Sequence, residues 1–169
     1  QGQLDTALRE IDALISLTPN SPWFHELKGQ VNYEAGRAAN GLAAYKKSVE
    51  LAPDQPLLLI GLATTQLSIA ETSGEMSQNF NLAAEKNLRK ALRLDPANTT
   101  AYFQLSKAFG QMQRVAYAEW ALAEYYALLD RPESLKHARR AIKGLPDGSS
   151  EKIRTTDILE IARRGGASR

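Results

Sequence analysis

The chain has no cysteine. That excludes disulfides, thiolate nucleophiles and every cysteine-based zinc site, while leaving the compartment open, since many secreted and periplasmic proteins also lack cysteine. Histidine is almost as scarce: only His25 and His137 occur, far apart in the chain. A three-ligand catalytic zinc site could use at best both of them plus a carboxylate. The run His25-Glu26-Leu27-Lys28 opens like the H-E-x-x-H of zinc peptidases, in which two imidazoles one helical turn apart hold the metal. Its fifth position is Gly29, so the second imidazole is missing from that face.

Long apolar runs and charge of one sign are also absent. Leu57 to Ile60, continuing through Leu62 and Ala63, is the longest apolar run and falls far short of the roughly 18 to 20 residues a membrane span needs. Lys and Arg number 21 against 19 Asp and Glu, for a net charge of +2, a balance that implies no polyanion partner and therefore no nucleic acid. The densest positive stretch, Lys136, His137, Arg139, Arg140 and Lys143, has no interleaved aromatics for base stacking and reads as the wet face of a late helix. No G-x-S-x-G, P-loop or G-x-G-x-x-G is present, and the carboxylates lie scattered along helical faces. No catalysis is expected from this chain alone, and no cofactor or metal within it.

What is present is a repeat. Apolar periodic stretches close on proline at Pro19, Pro53, Pro96 and Pro146, where the ring stops a helix. Pro19 to Pro53 spans 34 residues, the period of the tetratricopeptide repeat (TPR), a helix-turn-helix unit; Pro53 to Pro96 spans 43, nine more. In the second unit Gly29 and Gly41 fall on the small positions where the two helices cross, with Gly36 in the turn, Tyr45 on the large position and Ser48 on the third small one. Leu59, Leu62, Ala63, Ala84, Leu88 and Ala91 repeat the pattern, as do Tyr102, Leu105, Ser106, Phe109 and Ala118. The chain thus resembles the tetratricopeptide consensus. His25 and Lys28 stand where that consensus prefers Trp and Leu, so Trp23, Phe24 and Leu27 are expected to anchor the helix instead.

The expected fold is all-α, a TPR-like superhelix of about nine antiparallel helices, read as one domain over 1–169. Residues 1–19 form the second helix of a truncated repeat, 22–53 a repeat, and 55–96 a repeat with the nine-residue insertion near 70–78. Residues 99–146 form a three-helix terminal part whose middle helix serves two units. A capping helix over 150–164 carries a Ser cap and Ile153, Ile158, Leu159, Ile161 and Ala162, and "GGASR" is a frayed tail. Because the first helix lacks its partner, the polypeptide is expected to be a piece of something longer.

Such arrays bind other proteins on a concave groove lined by the first helix of each pair. By that analogy the groove residues are Trp23, Glu26, Gln30, Tyr33 and Glu34, then Ile60, Thr64 and Leu67, then Phe103, Lys107 and Gln111, the other reading being that several, Ile60 and Leu67 above all, are buried by a neighbouring helix. This apolar, aromatic and amide-bearing mixture suits a protein or peptide segment. The places that hold a Lys-Asn-Arg clamp in chaperone-tail binders hold Glu26, Gln30, Gly61, Thr100 and Gln104, so an acidic tail is disfavoured.

The segments "PWFHELKGQVNYEAGRAANGLAAYKKSVELAPDQPLLLIGLA", "LRKALRLDPANTTAYFQLSKAFGQM" and "HARRAIKGLPDGSS" resemble the C-terminal TPR tail of bacterial zinc metallopeptidases of the HtpX and CAAX-prenyl-protease family. The resemblance implies a periplasmic parent with zinc bound upstream of this chain. It also implies a tail that engages its own catalytic domain, unfolded outer-membrane proteins or the outer-membrane assembly machinery. None of the family's zinc ligands matches a position here. The other reading is a TPR scaffold or lipoprotein subunit of a secretion or outer-membrane assembly system, with no protease domain.

Overall fold

The computed structural model describes residues 2–166; of the expected "GGASR" tail only the helical backbone of its two glycines falls within them. The described residues form nine α-helices and one short 3-10 turn, with no strand. In order they are α1 (Gly2–Leu17), α2 (Pro22–Glu34), α3 (Ala38–Leu51), α4 (Pro56–Ala70), α5 (Ser77–Leu94), α6 (Thr99–Gln111), α7 (Val115–Leu128), α8 (Glu133–Ala141) and α9 (Ser150–Gly166), with the 3-10 turn at Gly74–Met76. They group into two units, residues 1–96 and 97–169.

Local chemistry sets the boundaries. Pro22 and Pro56 start α2 and α4 at the position where a missing N–H costs nothing. The Asn98 side chain accepts from the Ala101 N–H at 3.0 Å to cap α6, and the Ser149 hydroxyl accepts from Lys152 N at 3.3 Å to cap α9. The α2–α3 turn closes when Arg37 N–H reaches back to Asn32 O at 2.8 Å, which requires Gly36 at φ +73°. The next such turns have the same closure, Arg114 N to Phe109 O and Arg131 N to Tyr126 O, but place Gln113 (φ 58°) and Asp130 (φ 51°) in the left-handed conformation. The nine-residue insertion is not one loop: relative to α2 and α3, helix α4 is two residues longer, α5 four longer and the connection three longer.

In the first unit α4 is the central helix, packed on α3 and α5 and touching α2. Leu58, Leu59, Leu62, Ala63, Leu67 and Ala70 are buried around it, which is why its sequence is apolar on all sides instead of showing one stripe. Ala84, Leu88 and Ala91 of α5 are fully buried against it. The small residues do the work the repeat register assigns to them. A Cβ at Gly41 would stand 2.8 Å from the Gly29 carbonyl oxygen, and one at Gly29 would stand 2.5 Å from the Tyr45 ring. Of the three expected anchors of α2, Trp23 and Leu27 are 48% and 37% exposed, and Phe24 is half-buried. Helix α2 packs chiefly on α3, with the Tyr45 ring over Gly29, and polar contacts tie its first turns to the preceding segment, Lys28 Nζ to Asp12 Oδ1 at 2.6 Å and His25 Nε2 to Pro19 O at 2.9 Å.

In the second unit α7 packs against α6, α8 and α9, the double role its pattern predicts. Tyr102, Leu105, Phe109, Trp120, Ala121, Ala138 and Ala141 form the core, with Trp120 edge-on to Tyr102 at 6.0 Å. Glu124 is also buried there, held by Arg154 of α9 through Nε to Oε1 at 2.5 Å and Nη2 to Oε2 at 2.8 Å, and by the Trp120 N–H at 3.2 Å. This pair joins α9 to α7. Glu151 and Thr155 are turned inward, whereas Ile153 and Ile161, expected to serve the cap's apolar face, are 56% and 70% exposed.

Candidate binding surface

On α2 the predicted residues Trp23, Glu26, Gln30, Tyr33 and Glu34 recur at helical spacing on one side. Trp23, Gln30 and Glu34 are exposed; Glu26 and Tyr33 are half-buried. Gln30 Nε2 donates to Glu34 Oε1 at 2.8 Å. Neither Glu26 nor Glu34 is ion-paired among the described residues, because the one cation of α2, Lys28, is turned to Asp12 of α1. Burial, and then the neighbouring Glu34 charge, push the Glu26 carboxyl above its ordinary range.

Beneath this stripe lies Tyr45 of α3, 5% exposed. One edge of its ring fills the space over Gly29 of α2 and the other the space over Gly61 of α4, so neither helix has room for a side chain there. Burial foremost, then the charges of Glu26 and Glu34, raise the phenol above its usual range. Its hydroxyl makes no hydrogen bond to a described residue. The repeat register assigns Tyr45 a packing role, and the ring fills it.

Two predicted contacts on α4 are corrected. Ile60 and Leu67 are 6% and 3% exposed, because α4 is enclosed in its unit and these side chains belong to the core. Thr64 between them is half-buried. In the second unit, α6 presents Phe103, 39% exposed, with Lys107 Nζ 5.1 Å from its ring centre and Tyr125 of α7 at 5.4 Å. Gln111, at the end of the same helix, is half-buried.

His25, the first residue of the zinc-like run, is occupied with the Pro19 carbonyl. His137 Nδ1 donates to Glu119 Oε2, 2.6 Å away, and the ring stacks on Tyr126 at 5.3 Å. No cluster of three or more potential metal ligands occurs among the described residues, and no helix among them is long and apolar enough to cross a membrane.

The helical arrangement has close counterparts. A crystal structure of MamA superposes with a TM-score of 0.68 over 99% of this chain and 93% of its own, at 19% identity. A thermophilic TPR protein of Thermus thermophilus gives 0.65 over 94% and 91%, at 18% identity. The fold is the tetratricopeptide fold. MamA of Desulfovibrio magneticus RS-1 matches it as well, at 0.67 over 96% and 88% with 18% identity. No protein-family model matches the chain, and no curated protein does. In a tetratricopeptide fold α2, α4 and α6 are the first helices of their pairs, and of these α2 and α6 carry exposed aromatics.

Proposed function

We propose that this chain is a protein–protein interaction module that holds an extended polypeptide segment on the exposed face of α2. The observation that carries the reading is the α2 stripe itself, where half-exposed aromatics, an amide and two carboxylates without ion pairs share one face of a helix fixed from behind by Gly29 against Tyr45. Such a surface offers apolar contact with polar groups that orient a main chain, the pattern of peptide recognition. An array of overlapping peptides probed with the purified chain tests it. Tyr33→Ala should abolish capture while the helical circular dichroism stays intact, and unchanged capture would overturn the reading.

The resemblance of the repeat segments to zinc-peptidase tails supports a finer proposal. The module serves a periplasmic zinc-dependent metalloendopeptidase, with zinc held outside this chain. Its partners are that enzyme's catalytic domain, unfolded outer-membrane proteins or the outer-membrane assembly machinery. The parent gene decides this: a signal sequence and an H-E-x-x-H encoded upstream support it, and a parent without them removes it.

A further inference from the structure

The cations of α8 and α9 fall into two groups. Arg140 pairs with Glu119, Lys152 with Asp147, Arg154 with Glu124 and Arg164 with Glu160, so each of these charges is answered within the second unit. Arg139 of α8 and Arg163 of α9 have no carboxylate partner among the described residues, and both line one cleft between the two helices. That cleft has a volume of about 480 Å³ and an apolar lining of Leu135 and Leu159. It also holds acceptors: Glu160, and the Thr156 hydroxyl, which donates to Lys152 O at 2.9 Å and keeps acceptor capacity on its oxygen. Two guanidiniums at one cleft with nothing to neutralise them repel each other and raise the local positive potential. A merely solvated helix face would show neither the cleft nor its apolar lining.

We propose that this cleft, separate from the α2 face, binds an acidic polypeptide segment in which two carboxylates flank an apolar side chain. Arg139 and Arg163 take the carboxylates, for which the planar guanidinium fork is suited, and the apolar side chain lies against Leu135 and Leu159. Glu160 and Thr156 favour a polypeptide over an anionic membrane surface: both accept from main-chain N–H groups, whereas the Glu160 carboxylate repels a sheet of headgroup phosphates. Lys136, one turn before Arg139, is exposed and also without a carboxylate partner, and it attracts the same segment from the α8 side. The places of the Lys-Asn-Arg clamp lie on α2, α4 and α6, so the acidic segment bound between α8 and α9 is held by a different device.

The probes are fluorescein-labelled Gly/Ser peptides titrated into the intact chain at low and at physiological salt. The first carries Glu-Gly-Leu-Gly-Glu, whose three side chains share one face of an extended chain; the second has glutamines for the glutamates, and the third a serine for the leucine. The first should bind about tenfold more tightly than the glutamine peptide, a preference that shrinks as salt rises, and about fivefold more tightly than the serine peptide. Arg139→Gln and Arg163→Gln should each cut the glutamate preference about threefold and together remove it, at an unchanged thermal midpoint, since neither guanidinium is ion-paired in the fold. Lys46→Gln with Lys86→Gln removes the same charge from the first unit and should change nothing; an equal loss there would reduce the effect to net charge and overturn the assignment. Equal affinity for the glutamate and glutamine peptides, no binding of any peptide, a preference that survives the double arginine variant, or a serine peptide as tight as the leucine one would overturn it too. Retention on phosphatidylglycerol vesicles that the double variant loses, with no binding of the glutamate peptide, would give the cleft to a membrane surface and refute the polypeptide.

Discussion

Replacing Gly29 by alanine puts a Cβ 2.5 Å from Tyr45 Cδ2 and 2.8 Å from Cγ and Cε2, contacts that cannot exist without movement. The ring has nowhere to retreat, because its opposite edge already fills the space over Gly61. Intrinsic propensity works the other way: in an unobstructed helix interior Gly→Ala gains about 1 kcal/mol. Overpacking a filled site costs about 1–3 kcal/mol, and here the obstacle is an aromatic ring 5% exposed, toward the upper end of that range. The net expectation is a loss of about 1–2 kcal/mol, or about 3–6 °C in the thermal midpoint for a chain of this size. Urea unfolding followed by far-ultraviolet circular dichroism reads it. Gly110→Ala is the matched control, since nothing lies within 4 Å of its Cβ and it should be neutral or stabilising. A Tyr45→Ala background supplies the decisive comparison: with the ring gone, Gly29→Ala should turn neutral or favourable, giving a coupling of about 1–3 kcal/mol. If Gly29→Ala behaves like Gly110→Ala with the ring in place, the wedge between α2 and α4 does not exist as described.

Gln113→Gly should stabilise the second unit by about 1 kcal/mol, because Gln113 holds φ 58° in a turn that Gly36 fills without strain; a lower urea midpoint would refute this. Arg154→Ala leaves the Glu124 side chain, 6% exposed, with only the Trp120 N–H, and should cost about 2–3 kcal/mol, whereas Lys47→Ala breaks an exposed pair with Glu50 and should stay within about 0.5 kcal/mol. Glu26 gives a pH signature. Its folded carboxyl titrates above the unfolded value, so between the two the native state binds more protons and stability falls as pH rises through that window. Glu26→Gln should flatten the decline and raise the midpoint at neutral pH; an unchanged slope would show the carboxylate to be unstrained.

The helices and their order were legible because each carries its own punctuation. Pro22 and Pro56 begin helices, Gly36 turns one into the next, and the 34-residue proline spacing exposes the unit. Gly29, Gly41 and Tyr45 could be assigned to close contacts because a packing register constrains residue size. Exposure is a different matter. Register alone places Ile60 and Leu67 facing a ligand, yet α4 is enclosed by its neighbours, a fact that depends on what surrounds the helix and not on its sequence. The rotation of α9 was hidden for the same reason: Glu151 and Thr155 face inward and Arg154 pairs with Glu124, 30 residues away, while Ile153 and Ile161 are left exposed. At the candidate surface the α2 stripe was foreseeable from spacing, whereas the half-burial of Glu26 and Tyr33 was not, since it depends on the neighbouring helices.

The chain has two tryptophans, and each unit holds one. Trp23 is 48% exposed and Trp120 is 5% exposed with its indole N–H given to Glu124. Their emission should differ accordingly, red-shifted and iodide-quenchable from the first, blue-shifted and shielded from the second. The wild-type molecule thus reports optically, without labels, on each half separately: a peptide arriving on α2 perturbs the red component alone, and loss of the α9 ion pair shifts the blue one.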